Sequence, residues 1–279
     1  MATLGYKRIL CAIEHDKDAD VLLSLAGSAA WADVQLHVVS VSEANAVGGE
    51  STYQTFLKGI EERVRFSLGA KPCRIHTEFG NAKEKILEVA ADIDPDLIIL
   101  GTHTKSDTAN LLFGSTANHV LHYANCDVLA VRLQARPTRT ELATRYQRVT
   151  IALDMHDTNS GELMTRAHRV AENATFSLFN VLRLDECITQ ERLDSGCLEQ
   201  AYYRLEAQMR QLGERFGIPI AQQKIFVGTL GEALHALEQA EPVDLLVLGN
   251  HREGESLVMP VDALSSTLRS THSDVLVVR

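Results

Sequence analysis

The chain has 279 residues, of which 45% are hydrophobic and 23% charged, and a formal net charge of -10. This length suits two globular domains of about 140 residues each, and the composition argues against disordered and fibrous proteins. The acidic balance without a basic run disfavours nucleic-acid binding, and no apolar stretch approaches the roughly 20 residues that span a bilayer.

Short apolar runs alternate with segments of helical period along the first half of the chain. The pattern predicts strands and helices in strict alternation: strand Arg8–Ile13, helix 18–30, strand 34–41, helix 53–68, strand Cys73–Phe79, helix 82–91, strand 97–100, helix Ser115–Tyr123 and strand 128–131. This order is typical of βαβ units around a parallel sheet.

The second half repeats the first. YKRILCAIE at 6–14 matches YQRVTIALD at 146–154, DLIILG at 96–101 matches DLLVLG at 244–249, and CDVLAVR at 126–132 matches SDVLVVR at 273–279. Three matches in one order indicate a duplication. The matched strands of the second copy are predicted over 149–153, 175–182, 220–227, 245–248 and 275–278, with helices between them.

A polar, proline-containing stretch, LQARPTRTELATR at 133–145, separates the copies. We therefore predict a first domain over 1–134, a linker over 135–145 and a second domain over 146–279. Each domain is predicted to be a doubly wound α/β unit around a five-stranded parallel sheet. Ligands of such sheets bind beyond the carboxyl ends of the strands, where the strand order reverses.

The loop after the fourth strand is the strongest candidate for a ligand site. It runs from Gly101 through Thr104 to Gly114 and Ser115, at the start of a predicted helix. Glycine lets backbone amides approach a phosphate closely, and the free N–H groups of a helix start attract anions. Turn glycines followed by an N-capping serine would give the same pattern without a ligand.

These features resemble the universal stress protein family: an acidic residue after strand one, LHV in strand two, and a glycine-rich loop ending in Gly-Ser after strand four. The resemblance covers both copies and implies a Rossmann-like, adenine nucleotide alpha hydrolase-like fold. In members that bind ATP, the loop holds the phosphates and strands one and two flank the adenosine. In the first copy this implies a site formed by Ile13, Glu14, Val38, Gly101, His103, Thr104, Gly114, Ser115 and Thr116.

Two positions of the first copy depart from the family pattern. Thr104 replaces a glycine, and a β-branched residue at positive φ would cost about 1 to 2 kcal/mol. Glu14 replaces the usual aspartate and extends the carboxylate further into the site. The sequence alone leaves open whether the first copy binds ATP.

The second copy departs further. It has Val261, Asp262 and Ala263 where Gly-Ser is expected, although Asp154 follows its first strand correctly. A carboxylate about 4 Å from a phosphate costs on the order of 4 kcal/mol at an effective dielectric of 20. We therefore predict that the second copy does not bind nucleotide in the family mode.

Three functions remain open. The first is a stress-response binding and regulatory protein whose first copy binds ATP, and which is not an enzyme. The second is the binding of an apolar or lipid-like metabolite by the second copy, with Leu198, Tyr202, Met209 and Met259 as the walls of the site. Apolar residues at helical spacing more often belong to the ordinary core of a domain. The third is a weak ATPase, although the chain has no P-loop lysine, G-x-S-x-G or HExxH motif.

The remaining predictions concern metals, location and assembly. His119 and His122 lie at a metal-compatible spacing, but no third ligand is evident, so we predict no metal site. Five cysteines without a CxxC motif predict reduced thiols, and with the lack of a signal-peptide core they indicate a cytoplasmic protein. The last strand of each copy lies at a predicted sheet edge, which favours a pseudo-dimer within the chain and a further homodimer.

Overall fold

The computed structural model describes residues 6–14, 19–27, 34–42, 49–102, 114–133, 146–153, 160–184, 188–189, 192–193, 195–249 and 271–279. The chain divides into two compact units, Met1–Arg145 and Tyr146–Arg279. Each unit contains five strands that pair in parallel, and its own helices.

The first unit has five strands and four helices in alternation. Its elements are β1 (Arg8–Ile13), α1 (Ala19–Ala26), β2 (Gln35–Ser42), α2 (Gly49–Leu68), β3 (Cys73–Phe79), α3 (Ala82–Ile93), β4 (Leu97–Thr102), α4 (Ser115–Tyr123) and β5 (Asp127–Arg132). The strands pair in parallel in the order β3-β2-β1-β4-β5. The chain leaves β1 toward β2 and later returns to β4 on its other side, so the strand order reverses between β1 and β4.

The central strands are apolar on both faces because helices cover both sides of the sheet. All residues of β4 except Gly101 are buried, and so are the last five of β1. Helix α1 packs against α2, and α3 packs against α4. Burial on both faces explains why these strands are continuous apolar runs and do not alternate with polar residues.

The second unit repeats this topology. Its main elements are β6 (Arg148–Ala152), α5 (Ser160–Val170), β7 (Thr175–Leu182), α6 (Ser195–Phe216), β10 (Gln223–Val227), α7 (Leu230–Ala240), β11 (Leu245–Gly249) and β12 (Asp274–Val278). The parallel order is β10-β7-β6-β11-β12, which matches that of the first unit. The predicted doubly wound five-stranded parallel sheets are thus confirmed in both copies.

Equivalent turns in the two units share their local chemistry. Gly80 follows β3 at φ +127 and Gly228 follows β10 at φ +142, conformations that residues with a Cβ rarely adopt. Each glycine precedes a side-chain cap: Asn81 Oδ1 accepts from the Lys83 amide, and Thr229 forms a reciprocal capping box with Glu232. The duplication therefore preserves the turn as well as the strands.

A buried tyrosine–aspartate pair is also repeated. The Tyr6 hydroxyl donates to Asp127 at 2.8 Å, and the Tyr146 hydroxyl donates to Asp274 at 2.8 Å. Both carboxylates are buried, and each lies at the start of the last strand of its unit. In each unit the pair links the segment before the first strand to the last strand. These two strands are not neighbours in the sheet, because β4 in the first unit and β11 in the second lie between them.

Several predicted boundaries were wrong. Helix α1 ends at Ala26, before the predicted residue 30, and several strands differ from their predicted bounds by one or two residues. Residues Ile220–Gln222 form a 3₁₀ helix and not the beginning of a strand; Pro219 precedes them, and its carbonyl accepts from the Gln222 amide at 2.9 Å. Helix α2 begins at Gly49, before the predicted residue 53, and α3 continues to Ile93. A short antiparallel hairpin of β8 (Ile188–Thr189) and β9 (Arg192–Leu193) was not predicted.

Candidate functional site

A cleft opens at the carboxyl end of the first sheet, where the strand order reverses. The empty space in the cleft is about 540 Å³ when the solvent at its open side is included. It is bounded by the ends of three strands, by one face each of α1 and α3, and by the first turn of α4. Its lining residues are Ala12, Ile13, Glu14, Ala19, Leu22, Val39, Val41, Ala82, Ile86, Leu100, Gly101, Thr116 and Leu133.

Four of the predicted site residues meet in this cleft. Ile13 and Glu14 contribute from the end of β1, Gly101 from β4 and Thr116 from the first turn of α4. Residues almost 90 positions apart in sequence meet here because parallel strands present their carboxyl ends at one edge of the sheet. Ligand binding by these residues stays a prediction.

Val38 lies elsewhere. It is fully buried in β2 and is not among the lining residues, whereas its neighbour Val39 and the next residue but one, Val41, line the cleft. Successive side chains of a strand point to opposite faces, so a shift of one residue exchanges cleft for core. The sequence predicted strand two but did not show which of its side chains face the cleft.

Two more predicted residues are adjacent to the cleft, and two lie outside the description. Gly114 is the N-cap of α4 and Ser115 its first residue, exposed, and neither is among the lining residues. His103 and Thr104 lie outside the described residues, so the effect of a threonine at 104 stays a prediction.

Gly101 has a packing role that the sequence did not indicate. A Cβ built on Gly101 would lie 2.4 Å from Leu133 Cδ1 and 3.5 Å from Leu22 Cδ1. Its φ is not in the left-handed region, so the glycine is required for space and not for conformation. The missing side chain admits Leu133 into the cleft wall, whereas the sequence suggested that it admits a phosphate.

The start of α4 differs from those of α3 and α7. Asn81 and Thr229 cap α3 and α7 with their side chains, whereas the N-cap of α4 is Gly114, which has no side chain to donate or accept. The first N–H groups of a helix have no partner within the helix, and together they favour a negative charge. The first turn of α4 is therefore suited to an anion at the rim of the cleft.

The described lining is apolar except at a few points. Its polar side chains are the exposed carboxylate of Glu14 and the hydroxyl of Thr116, and none of the described lining residues is cationic. An anionic group bound here would rely on backbone amides among these residues. The apolar walls suit a flat, uncharged group.

A histidine pair lies on the same face of β2 as the cleft-lining valines. His37 Nδ1 lies 2.9 Å from His76 Nε2, and the rings stack with centroids 5.2 Å apart. Burial, followed by the charges of His76, Arg74 and Arg8, lowers the pKa of His37. His37 is therefore kept neutral near pH 7 and serves as a hydrogen-bonded part of the core.

The other predicted ligand groups do not converge in the described residues. The ring of His119 packs against that of Tyr123 in a tilted arrangement with centroids 4.5 Å apart, and the described residues hold no group of three metal-ligating side chains. In the second unit Met209 is buried and Tyr202 is 37% exposed. Met259, Asp154, Val261, Asp262 and Ala263 lie outside the described residues.

The described cysteines are free thiols: Cys11, Cys73, Cys126 and Cys197. Burial, aided by the neighbouring Cys73, raises the pKa of Cys11 to about 12, so this thiol stays protonated and unreactive. Among the described residues, no helix combines the length and the apolarity needed to cross a bilayer.

Nine cleft residues were not predicted from the sequence: Ala12, Ala19, Leu22, Val39, Val41, Ala82, Ile86, Leu100 and Leu133. They are small or aliphatic, and their spacing matches that of any core-facing residue. Only the topology, which brings the ends of three strands together with α1 and α3, could have distinguished them.

Comparisons with known proteins agree with this architecture. A curated relative, universal stress protein A homolog 1 of Coxiella burnetii, is 37% identical over 142 residues, which cover 46% of this chain and 97% of the relative. Two solved structures share the fold over the whole chain at low identity. One, from Pseudomonas aeruginosa UCBPP-PA14 and assigned to the universal stress proteins, has 18% identity, a TM-score of 0.71 and coverage of 100% of this chain and 95% of its own.

The second structure is a universal stress protein from Archaeoglobus fulgidus DSM 4304, with 13% identity, a TM-score of 0.64 and coverage of 99% of this chain and 98% of its own. The family model of the universal stress proteins matches twice, at residues 5–132 and 145–279. The two matches follow the two copies found from the internal repeat. The chain therefore belongs to the universal stress protein family, with two copies of the family domain in tandem.

Proposed function

We propose that this chain is a ligand-binding regulatory protein of the stress response and that its first copy binds ATP. One observation carries the proposal: an apolar cleft at the reversal of strand order is bordered by the glycine-capped start of α4. Apolar walls beside an anion-attracting helix start match a molecule that is flat and uncharged at one end and anionic at the other. An adenine nucleotide has this chemistry.

Each part of the cleft has an expected partner in the nucleotide. The base lies between the aliphatic walls, where Val39, Val41 and Ile86 exclude water. Glu14 accepts hydrogen bonds from the ribose hydroxyls, since an ionised carboxylate is an acceptor only. The phosphates lie at the first turn of α4, where backbone amides take the place of a lysine.

We propose binding and not turnover. Phosphoryl transfer needs in-line positioning of a nucleophile and neutralisation of developing charge. Among the described lining residues Glu14 is the only titratable side chain, and its proposed role is recognition of the sugar. The weak ATPase is thus the less favoured alternative.

An apolar ligand in the second copy is also less favoured. Two of the proposed walls have opposite environments, since Met209 is a core residue and Tyr202 is more than one-third exposed. A wall residue that is more than one-third exposed is a poor match for a buried apolar ligand. Cytoplasmic action and a homodimer of the chain stay predictions from the sequence.

A charge at the helix start tests the proposal. In Gly114→Asp, a carboxylate would cap α4 and repel the phosphates, and we expect ATP affinity to fall at least about 100-fold, given a repulsion of a few kcal/mol. Calorimetric titration of the full chain measures the change.

The matched control is Gly231→Asp in the second copy. Gly231 lies in the first turn of α7, and a Cβ there meets nothing within 4 Å. This variant adds the same charge at a helix start of the other copy and should bind ATP like the parent. Equal affinity of Gly114→Asp and Gly231→Asp for ATP would mean that the phosphates do not lie at α4.

A further inference from the structure

The two copies place different side chains at the same position of the sheet. In the first unit Ala12 of β1 pairs with Val39 of β2, and in the second unit Ala152 of β6 pairs with Phe179 of β7. Phe179 is therefore the counterpart of Val39, which lines the cleft. A benzyl group replaces an isopropyl group where the first copy has open space.

Phe179 is packed and not extended into solvent. It is 1% exposed, and its ring centroid lies 5.3 Å from that of Phe226 in a tilted arrangement. Phe226 pairs with Val181, just as Glu78 pairs with Val41 in the first copy. An aromatic pair on one face thus replaces a valine and a glutamate, and such a pair stabilises the packed arrangement beyond its buried area.

A second wall position changes in the same direction. Ala82, which lines the cleft, is the first residue after the α3 cap Asn81, and Leu230 is the first residue after the α7 cap Thr229. A methyl group in the first copy is therefore an isobutyl group in the second. Both exchanges place a larger side chain at a position whose counterpart lines the cleft of the first copy.

The strand end also differs. Asn180 Nδ2 donates to the Leu153 carbonyl at 2.7 Å, in a buried hydrogen bond across the ends of β6 and β7. The counterpart of Asn180 is Ser40, paired with Ile13, and its buried hydroxyl has no partner within the part of the chain that the structure describes. The second copy thus satisfies this polar position, on the strand face opposite to Phe179, where the first copy leaves it unsatisfied.

We propose that Phe179 and Leu230 close the second copy to ligands, and that Val39 and Ala82 keep the first copy open. The inference rests on the proposed function in one respect, because it takes the cleft as the ligand site. The closure is steric, and it lies in the sheet and in α7, whereas the sequence suggested only an acidic residue in the loop after strand four.

The test uses two probes on the full chain: ATP and the apolar anionic dye 1-anilinonaphthalene-8-sulfonate, which reports an open apolar cleft whatever the natural ligand. The parent should bind one dye. Val39→Phe should weaken dye and ATP binding about 10- to 100-fold, because the ring would occupy cleft space that the ligand needs. Val39→Phe/Glu78→Phe supplies the ring partner seen in the second copy and should fold even where the single variant does not.

The reciprocal variant Phe179→Val/Leu230→Ala should create a second dye site. Its control is Phe66→Val, which removes a phenylalanine that is 69% exposed and should add no site. Circular dichroism establishes that each variant is folded.

Each outcome bears on a separate claim. A parent that binds dye but not ATP would refute the nucleotide and leave the open and closed copies in place. A parent that binds neither probe, a Val39→Phe/Glu78→Phe variant that binds dye like the parent, or a Phe179→Val/Leu230→Ala variant without a second site would each overturn the inference.

Discussion

At the residue scale, the contact between Gly101 and Leu133 shows how closely the cleft wall is packed. Leu133 follows β5 directly and lies where a side chain on Gly101 would have to be. Leu133 also lines the cleft, so its position influences the space that a ligand can occupy. A substitution at 101 should therefore act on binding through residue 133.

Gly101→Ala should displace Leu133 into the cleft and lower ATP affinity about 10-fold, the effect of roughly 1.4 kcal/mol of overpacking. Leu133→Ala alone should change affinity little, and the double variant should bind like the parent because the clash is gone. Calorimetric titration of the four proteins gives the coupling between the two sites. Strictly additive effects would show that the two side chains do not compete for this space.

The difference between Val38 and Val39 shows where prediction from sequence ends at this scale. LHVVSV in strand two is apolar on both faces, so the composition of the strand does not distinguish the residue that faces the cleft. The pairing of Ala12 with Val39 in the structure does distinguish it. Ile13, Glu14, Gly101 and Thr116 could be predicted from the sequence because the resemblance to the family locates the site at the ends of strands and at the start of a helix.

At the scale of elements, Glu238 of α7 holds the segment that leads into β12. Its carboxylate accepts hydrogen bonds from the Thr271 hydroxyl, from the His272 amide at 2.9 Å and from the Ser273 hydroxyl at 2.7 Å. Burial acts to raise the pKa of Glu238, but these hydrogen bonds outweigh burial and lower the pKa below its ordinary value. The carboxylate thus connects a helix to the last strand of its unit.

Because the pKa of Glu238 is lowered in the folded protein, we expect the free energy of unfolding to decrease in acid. A carboxyl group with a lowered folded-state pKa stabilises the fold fully above its ordinary pKa, and that contribution is lost as pH falls through the lowered value. Glu238→Gln should lower the free energy of unfolding by about 1 to 3 kcal/mol at pH 7 and should lose less stability on acidification. Urea titrations at pH 7 and near pH 3 measure both effects.

Glu199→Gln on the exposed face of α6 is the matched control and should follow the parent at both pH values. If Glu238→Gln loses as much stability on acidification as the parent, then the Thr271–Ser273 contacts do not account for the shift.

Most elements could be predicted because apolar runs and helical periods differ clearly in this chain. β1, β3, β7 and α4 have the predicted bounds, since each begins or ends at a change from apolar to polar residues. Residues 220–222 were wrongly predicted as part of a strand, because Ile220 lies next to the β-like run Gln223–Val227. Pro219, which favours a turn, was the signal against a strand at these residues. The hairpin at 188–193 has only two residues in each strand, too few for a periodic signal.

At the scale of the whole molecule, duplication has kept the fold and changed the site. The two units share strand order, the positive-φ glycines after β3 and β10, and the buried tyrosine–aspartate pairs. They differ at Val39 and Phe179, at Ala82 and Leu230, and at Ser40 and Asn180. Conserved topology with altered wall residues is what one binding copy and one closed copy require.

The number of ATP molecules bound per chain tests this account most directly. Equilibrium dialysis of the full chain against radiolabelled ATP, with native mass spectrometry to count the occupied states, should give one nucleotide per chain at saturation. Two nucleotides per chain would contradict the closure of the second copy, and none would contradict binding in the first.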